Sequence, residues 1–112
     1  MKKIEAIVRE ERLSAIKSAL EEKGYFGMTV SYVQGRGRQR GLRLQQRSGE
    51  FEVDLIPKLK IELVVLDEDA TAVVRALVQS ARTGGIGDGK IFVLPVEDAV
   101  RIRTGEDGMD AV

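Results

Sequence analysis

Residues 3–8, KIEAIV, and residues 60–65, KIELVV, agree at four of six positions: Lys, Ile, Glu and the final Val. In the first copy Ile4, Ala6 and Val8 alternate against Lys3 and Glu5, the period of two that marks a half-buried strand. A similar succession follows each copy. After the first, Leu13, Ile16 and Leu20 fall at helical spacing between Glu11 and Lys23, Gly24 ends that helix, and MTVSYVQG at 28–35 reads as a second strand. After the second, whose strand spans 58–66, Ala70, Val73, Val74, Leu77, Val78 and Ala81 mark one face of another helix, and KIFVLPV at 90–96 is a fourth strand. The order β-α-β, long loop, β-α-β predicts an α+β, ferredoxin-like β-α-β-β-α-β sandwich: a four-stranded antiparallel sheet with both helices on one face. That plan leaves the other face bare. Val64 and Leu66 make the second-copy strand apolar on both sides, so the bare face is expected to be covered by further copies in a homo-oligomer. Val100 to Arg103 is a short strand candidate, and the acidic tail of about 104–112 is expected to fray.

The composition narrows the chemistry. A chain of 112 residues is one domain, long enough to bury about 65% of its unfolded surface without metal or disulfide. Cys, His, Trp and Asn are absent, which removes thiol and imidazole catalysis, Ser-His-Asp triads and zinc sites together. Acylphosphatase-type chemistry on this fold also loses its usual carboxamide. The 18 Lys and Arg balance 18 Asp and Glu, so the whole molecule lacks the positive field of a general nucleic-acid binder. Few aromatic side chains are available for base stacking. MKKIEAIVREE has no apolar leader core, and no 18-residue apolar run occurs, so the protein is expected to be cytoplasmic.

Against this balance, RGRQRGLRLQQR at 36–47 places five arginines in twelve positions. It lies in a stretch of about twenty residues with no sustained period, and loops of that length in small domains are usually functional. Two more elements can bind anions. TGGIGDGK at 83–90 approximates a phosphate loop, but Ile91 stands where Ser or Thr would ligate magnesium, and the stretch runs from helix to strand rather than the reverse. Its four glycines still let backbone N–H groups approach an anion, with Lys90 adding charge. In an extended segment Arg101 and Arg103 point to one side and form a two-pronged clamp for phosphate oxygens. Segments 35–40, 83–90 and 101–103 together predict a nucleotide phosphate site.

GMTV at 27–30, GRGRQRG at 35–41, DLIPKLKIELVV at 54–65, TGGIGDGKIFV at 83–93 and RIRTGE at 101–106 resemble the PII signal-transduction proteins of nitrogen regulation. The resemblance spans nearly the whole length and implies a homotrimer of single 1–112 domains, with ATP or ADP bound in clefts between neighbours. By position it assigns phosphate and ribose contacts to Gly35, Gly37, Arg38 and Gln39, to Gly87, Asp88, Gly89 and Lys90, and to Arg101 and Arg103. Thr29, Glu62 and Val64 would line the adenine pocket. The resemblance further implies 2-oxoglutarate beside ATP and Mg2+, with Gln39 ligating the metal, Lys58 pairing with the distal carboxylate, and Arg9, Gly41 and Gly87 assisting. The arginine-rich run then begins the family's T-loop, about 37–55, and Arg47 corresponds to the residue that plugs an ammonium channel. Such a protein is a sensor rather than an enzyme, recruited to the membrane through a transporter, with other nitrogen-metabolism proteins as further partners.

Two departures bear on regulation. Phe51 stands where uridylylated relatives carry tyrosine, so that modification is not expected, and Gly49 stands where other relatives carry a phosphorylated serine. Control by ligand alone follows. The competing readings are an adenine-nucleotide energy sensor acting on a metabolic enzyme and, less in keeping with the balanced charge, a nucleic-acid-binding module.

Overall fold

The computed structural model describes residues 1–37, 42–46, 49–53 and 55–112, the two short middle segments as backbone only. Strand β1 (Lys2–Val8) leads through a 3-10 turn (Glu10–Arg12) into helix α1 (Leu13–Glu22) and strand β2 (Thr29–Gly35). Strands β3 (Leu42–Gln46) and β4 (Gly49–Val53) follow, then β5 (Ile56–Val65), α2 (Asp67–Ala81) and β6 (Lys90–Pro95). The main sheet has the order β2-β5-β1-β6 with every pair antiparallel, and this is the ferredoxin-like plan that the sequence predicts.

The duplicated hexapeptides become the two central strands. They pair with each other, Ile4 opposite Leu63 and Ala6 opposite Ile61, so the alternation in both copies points to the same side. On that side Ile4, Ala6, Val8, Leu59, Ile61, Leu63 and Val65 meet Ile16 and Leu20 of α1 and Val73, Ala76 and Leu77 of α2, all buried. Local signals set the helix ends. At the end of α1 the Gly24 N–H donates to the Glu21 carbonyl and the Tyr25 N–H to the Leu20 carbonyl, both at 2.9 Å. This paired closure needs a left-handed residue, and Gly24 supplies it with φ +87°. Helix α2 starts three residues before its first apolar-face position, because Asp67, Glu68 and Asp69 suit the positive end of the helix dipole. At its other end the Arg12 guanidinium donates twice to the Ser80 carbonyl, at 3.0 and 2.6 Å.

Three segments differ from the sequence reading. Strand β5 begins at Ile56 and runs through Pro57. Pro57 is tolerated because β1 reaches only as far as Leu59, so β5 has a single neighbour, β2, at that point. The stretch between β2 and β5 contains a two-stranded antiparallel ladder, Leu42 opposite Val53 and Leu44 opposite Phe51. The 100–103 segment is not a strand. Val100 makes an isolated bridge with Asp107, the Arg101 N–H donates to the Glu106 carbonyl at 2.8 Å, and the Gly105 N–H to the Arg101 carbonyl at 2.7 Å, closing a turn.

Leu77 is fully buried and Val78 is 45% exposed. Leu77→Ala is therefore expected to lower unfolding free energy by about 2–5 kcal/mol and Val78→Ala by less than about 1 kcal/mol. Urea titrations of the two variants at one fixed protein concentration check this; equal losses would refute the assigned orientation of α2.

Candidate functional site

The antiparallel register gathers several candidate residues at one end of the sheet. Val8 pairs with Leu59 and Ile7 with Lys90, so Arg9, Lys58 and the loop before β6 emerge together. Gly35 closes β2 at the same end, opposite Ile56. The loop runs from α2 into β6, as the sequence indicates, and its hydrogen bonds converge on one carboxylate. Asp88 accepts from the Thr83 N–H at 2.9 Å, the Gly84 N–H at 2.9 Å, the Arg9 Nε at 3.0 Å and the Thr83 hydroxyl. The Thr83 hydroxyl oxygen also accepts from the Gly85 N–H at 3.1 Å. Bonding to the Thr83 hydroxyl and N–H, with help from Arg9 and Gly84, holds the Asp88 carboxyl well below the usual carboxylate range.

Two cations secure the far side of this loop. Arg9 Nη2 donates to the Ile86 carbonyl at 2.6 Å, and the Lys58 ammonium donates to the Gly87 carbonyl. The N–H groups of Gly87, Asp88 and Gly89 have no protein acceptor among the described residues. Gly87 and Gly89 have φ of +96° and +102°, backbone states that turn successive N–H groups into an anion-binding concavity. Gly89 is also sterically required, since a Cβ there would sit 1.7 Å from the Ile7 carbonyl oxygen. Lys90, exposed at the start of β6, stands beside these groups. A phosphate or carboxylate would meet three donors and a positive environment.

The residues assigned to the adenine pocket share a second patch, on the sheet face away from the helices. Thr29 lies directly opposite Glu62, and Val64 is two positions along β5 on the same face. Glu62 is not free: Lys3 contacts it at 2.8 Å and Lys60 at 3.6 Å, while Lys60 also meets Glu5 at 2.9 Å. The Lys3 bond, reinforced by Lys60, holds the Glu62 carboxyl below its usual range. Arg101 and Arg103 are not brought to the glycine loop. They follow β6, whose end Pro95 pairs with Lys2, so they leave the opposite end of a sheet about 20 Å long. The extended clamp expected for them is replaced by the turn, and among the described residues both side chains are exposed and unpaired.

Gly37 lies two residues beyond β2 and is exposed. Arg38, Gln39, Gly41 and Arg47 lie outside the described residues. Among the described residues no three acidic, His or Cys side chains gather as a metal site, so the magnesium role assigned to Gln39 finds no substitute there. Thr83 is the residue that sequence reasoning missed. Its signal was a hydroxyl and a carboxylate bracketing a glycine run, the residue types that bond nearby backbone in tight turns. A groove of about 610 Å³ between α2 and β6, lined by Val74, Arg75, Val78, Arg82 and Val93 among others, holds none of the candidate residues.

The family model for nitrogen regulatory protein P-II matches residues 1–106. Nitrogen regulatory protein P-II 2 of Methanothermobacter thermautotrophicus is 55% identical over 112 residues, covering 100% of this chain and 97% of that protein. The P-II protein of Rhizobium meliloti is 52% identical with both chains covered fully. A crystal structure of Arabidopsis thaliana PII bound to citrate superposes with a TM-score of 0.82 at 42% identity, covering 99% of this chain and 91% of that one.

Gly89→Ala is expected to cost about 3 kcal/mol or more, because backbone must move to admit the methyl group. Gly84→Ala, with φ +90° but nothing within 4 Å of the added atom, is expected to cost only about 1 kcal/mol. Denaturant unfolding separates the two. Asp88 also sets an acid limit: a carboxyl whose folded pKa is depressed contributes stability above its unfolded pKa, and that contribution fades as pH falls through the folded value. Between the ordinary aspartate range and the still lower folded value, the loop amides are expected to stay protected from exchange, and Asp88→Asn to abolish that pH dependence. Hydrogen exchange of residues 83–85 across acid pH measures it.

Proposed function

This chain belongs to the nitrogen regulatory protein P-II family of signal-transduction regulators, which are not enzymes, and on that premise we propose that it senses ATP or ADP together with 2-oxoglutarate. The observation that carries this reading is the loop at 83–90. It combines the open N–H groups of Gly87 to Gly89 with Arg9, Lys58 and Lys90, three cations that polyphosphate or a dicarboxylate would use. The citrate named with the Arabidopsis PII structure is a carboxylate ligand on a related chain, in keeping with carboxylate sensing.

The separation of Arg101 and Arg103 from this loop supports a site completed by a second copy. One chain offers the loop end of its sheet and its neighbour offers the arginine turn, in a homotrimer with a nucleotide in each cleft. Arg38, Gln39 and Gly37 would close over the phosphates, Gln39 would hold Mg2+ with ATP and 2-oxoglutarate, and Gly41 would support the keto acid. Thr29, Glu62 and Val64 would face the adenine.

The output is a population shift in the 37–55 segment. With Mg2+, ATP and 2-oxoglutarate bound, Gln39 holds the base of that segment in one conformation. ADP leaves it free to engage a partner, through Arg47, in the cytoplasm. An ammonium transporter fits best, since Phe51 offers no hydroxyl for uridylylation and leaves ligands as the control. No helix among the described residues is long and apolar enough to cross a membrane, so recruitment to a membrane would run through that partner.

Calorimetric titration of 2-oxoglutarate in the presence of Mg-ATP and then Mg-ADP tests the proposal. Binding with Mg-ATP alone is expected. Nucleotide binding with no 2-oxoglutarate response would favour the second reading, an adenylate-energy sensor, and a purified protein that ignores an ammonium transporter with ADP present would remove the transporter from it.

A further inference from the structure

The Asp88 carboxylate sits in the middle of a loop that is proposed to bind phosphate, where a negative charge ought to repel the ligand. The geometry resolves this conflict. A carboxylate has about four acceptor positions, and here four donors fill them: the Thr83 hydroxyl, the Thr83 and Gly84 N–H groups, and the Arg9 guanidinium. Its charge is neutralised by Arg9 at 3.0 Å, and no acceptor position is left over for a metal ion or a ligand hydroxyl. The Thr83 hydroxyl is equally committed, donating to Asp88 and accepting from Gly85. These bonds turn the first three amides of the loop inward. The next two carbonyls are then drawn to Arg9 and Lys58, so that the loop doubles back at Gly87 with its following amides outward.

We propose that Thr83 and Asp88 are positioning residues: their side chains fold residues 83–89 into the shape that presents the N–H groups of Gly87, Asp88 and Gly89 to phosphate, and neither side chain touches the ligand. The inference rests on the nucleotide reading above and changes the part assigned to Asp88, which contributes its main chain to binding and its carboxylate to the loop. It also separates two effects of opposite sign. If the carboxylate were only a charge near the phosphates, removing it would strengthen binding; as the closure of the loop, removing it weakens binding even though repulsion falls.

The experiment is calorimetric titration of Mg-ATP into the protein and its Thr83→Val, Thr83→Ser and Asp88→Asn variants, with circular dichroism at the assay temperature to establish that each is folded. Thr83→Val is expected to weaken Mg-ATP binding about tenfold, the equivalent of losing one charge-assisted hydrogen bond. Thr83→Ser keeps the hydroxyl and is expected to bind within about twofold of the unsubstituted protein, a rescue that lost packing of the threonine methyl would not give. Asp88→Asn is expected to weaken binding by at least as much as Thr83→Val. Binding by Thr83→Val reduced less than about threefold, a Thr83→Ser as weak as Thr83→Val, or an Asp88→Asn that binds more tightly each overturns the proposal. Should Thr83→Val not fold, the direction of the Asp88→Asn change decides alone. Failure of the unsubstituted protein to bind Mg-ATP would overturn the nucleotide reading itself, a result distinct from equal binding by all four proteins.

Discussion

The antiparallel pairing of β1 with β5 places almost everything else. Because Lys2 lies opposite Val65 and Val8 opposite Leu59, the residues that follow β1 and those that precede β5 leave the sheet at the same end. Arg9 and Lys58 thereby become neighbours although 48 residues separate them in the chain, and β6, joined to the other side of β1, delivers the glycine loop between them. A slip of one residue in that pairing would turn Leu59, Ile61 and Leu63 to the open face and Lys60 and Glu62 into the core. Hydrophobic burial thus sets the register, and the register sets the site.

The face away from the helices follows a different logic. Lys3, Glu5, Lys60 and Glu62 alternate in sign across the two central strands and contact one another at 2.8 to 3.6 Å. Such half-exposed pairs contribute little to stability. Their arrangement nevertheless neutralises the centre of the face, and Phe92, 49% exposed, and Leu94, 39% exposed, lie beside it on β6. A face with paired charges and uncovered apolar side chains can be buried by a further copy at lower desolvation cost than one with free charges.

Most of the fold was legible because its signals are periodic. The alternation in KIEAIV and KIELVV, the spacing of Leu13, Ile16 and Leu20, and the apolar face from Ala70 to Ala81 each report burial on one side; the core includes most of these residues, with Leu13 and Val74 partly buried against it and Val78 exposed at the edge of the α2 face. The stretch 35–58 reads as a loop because glycines and arginines dominate it, yet Leu42, Leu44, Phe51 and Val53 alternate with polar residues in the pattern of the β3–β4 ladder. At the site, glycines and cations were legible as residue types. The convergence of Thr83, Gly84 and Arg9 on Asp88 was not, because it depends on a tertiary contact between residues 9 and 88. The extended backbone expected at 100–103 is absent for a related reason: same-side projection of Arg101 and Arg103 needs a strand, and the Arg101 N–H bond to the Glu106 carbonyl with the Gly105 N–H bond to the Arg101 carbonyl makes a turn instead.

The placement of that turn carries one further step. Within a single chain the glycine loop and the two arginines lie at opposite ends of the sheet, and no rotamer of an arginine side chain, which reaches about 7 Å from its Cα, spans the strand length between them. A polyphosphate contacting both must therefore lie between two copies, and it would link them as well as occupy them. On the proposed reading, nucleotide binding and subunit association then share their free energy by linkage, so that dilution of the assembly and loss of nucleotide have the same structural consequence. On the same reading, the segment proposed to bind a partner leaves β2 at Gly35, at the loop end of the proposed shared site. Its first residues would then respond to what fills the proposed cleft, while the carboxylate network around Asp88 would hold the glycine-loop wall of that cleft fixed.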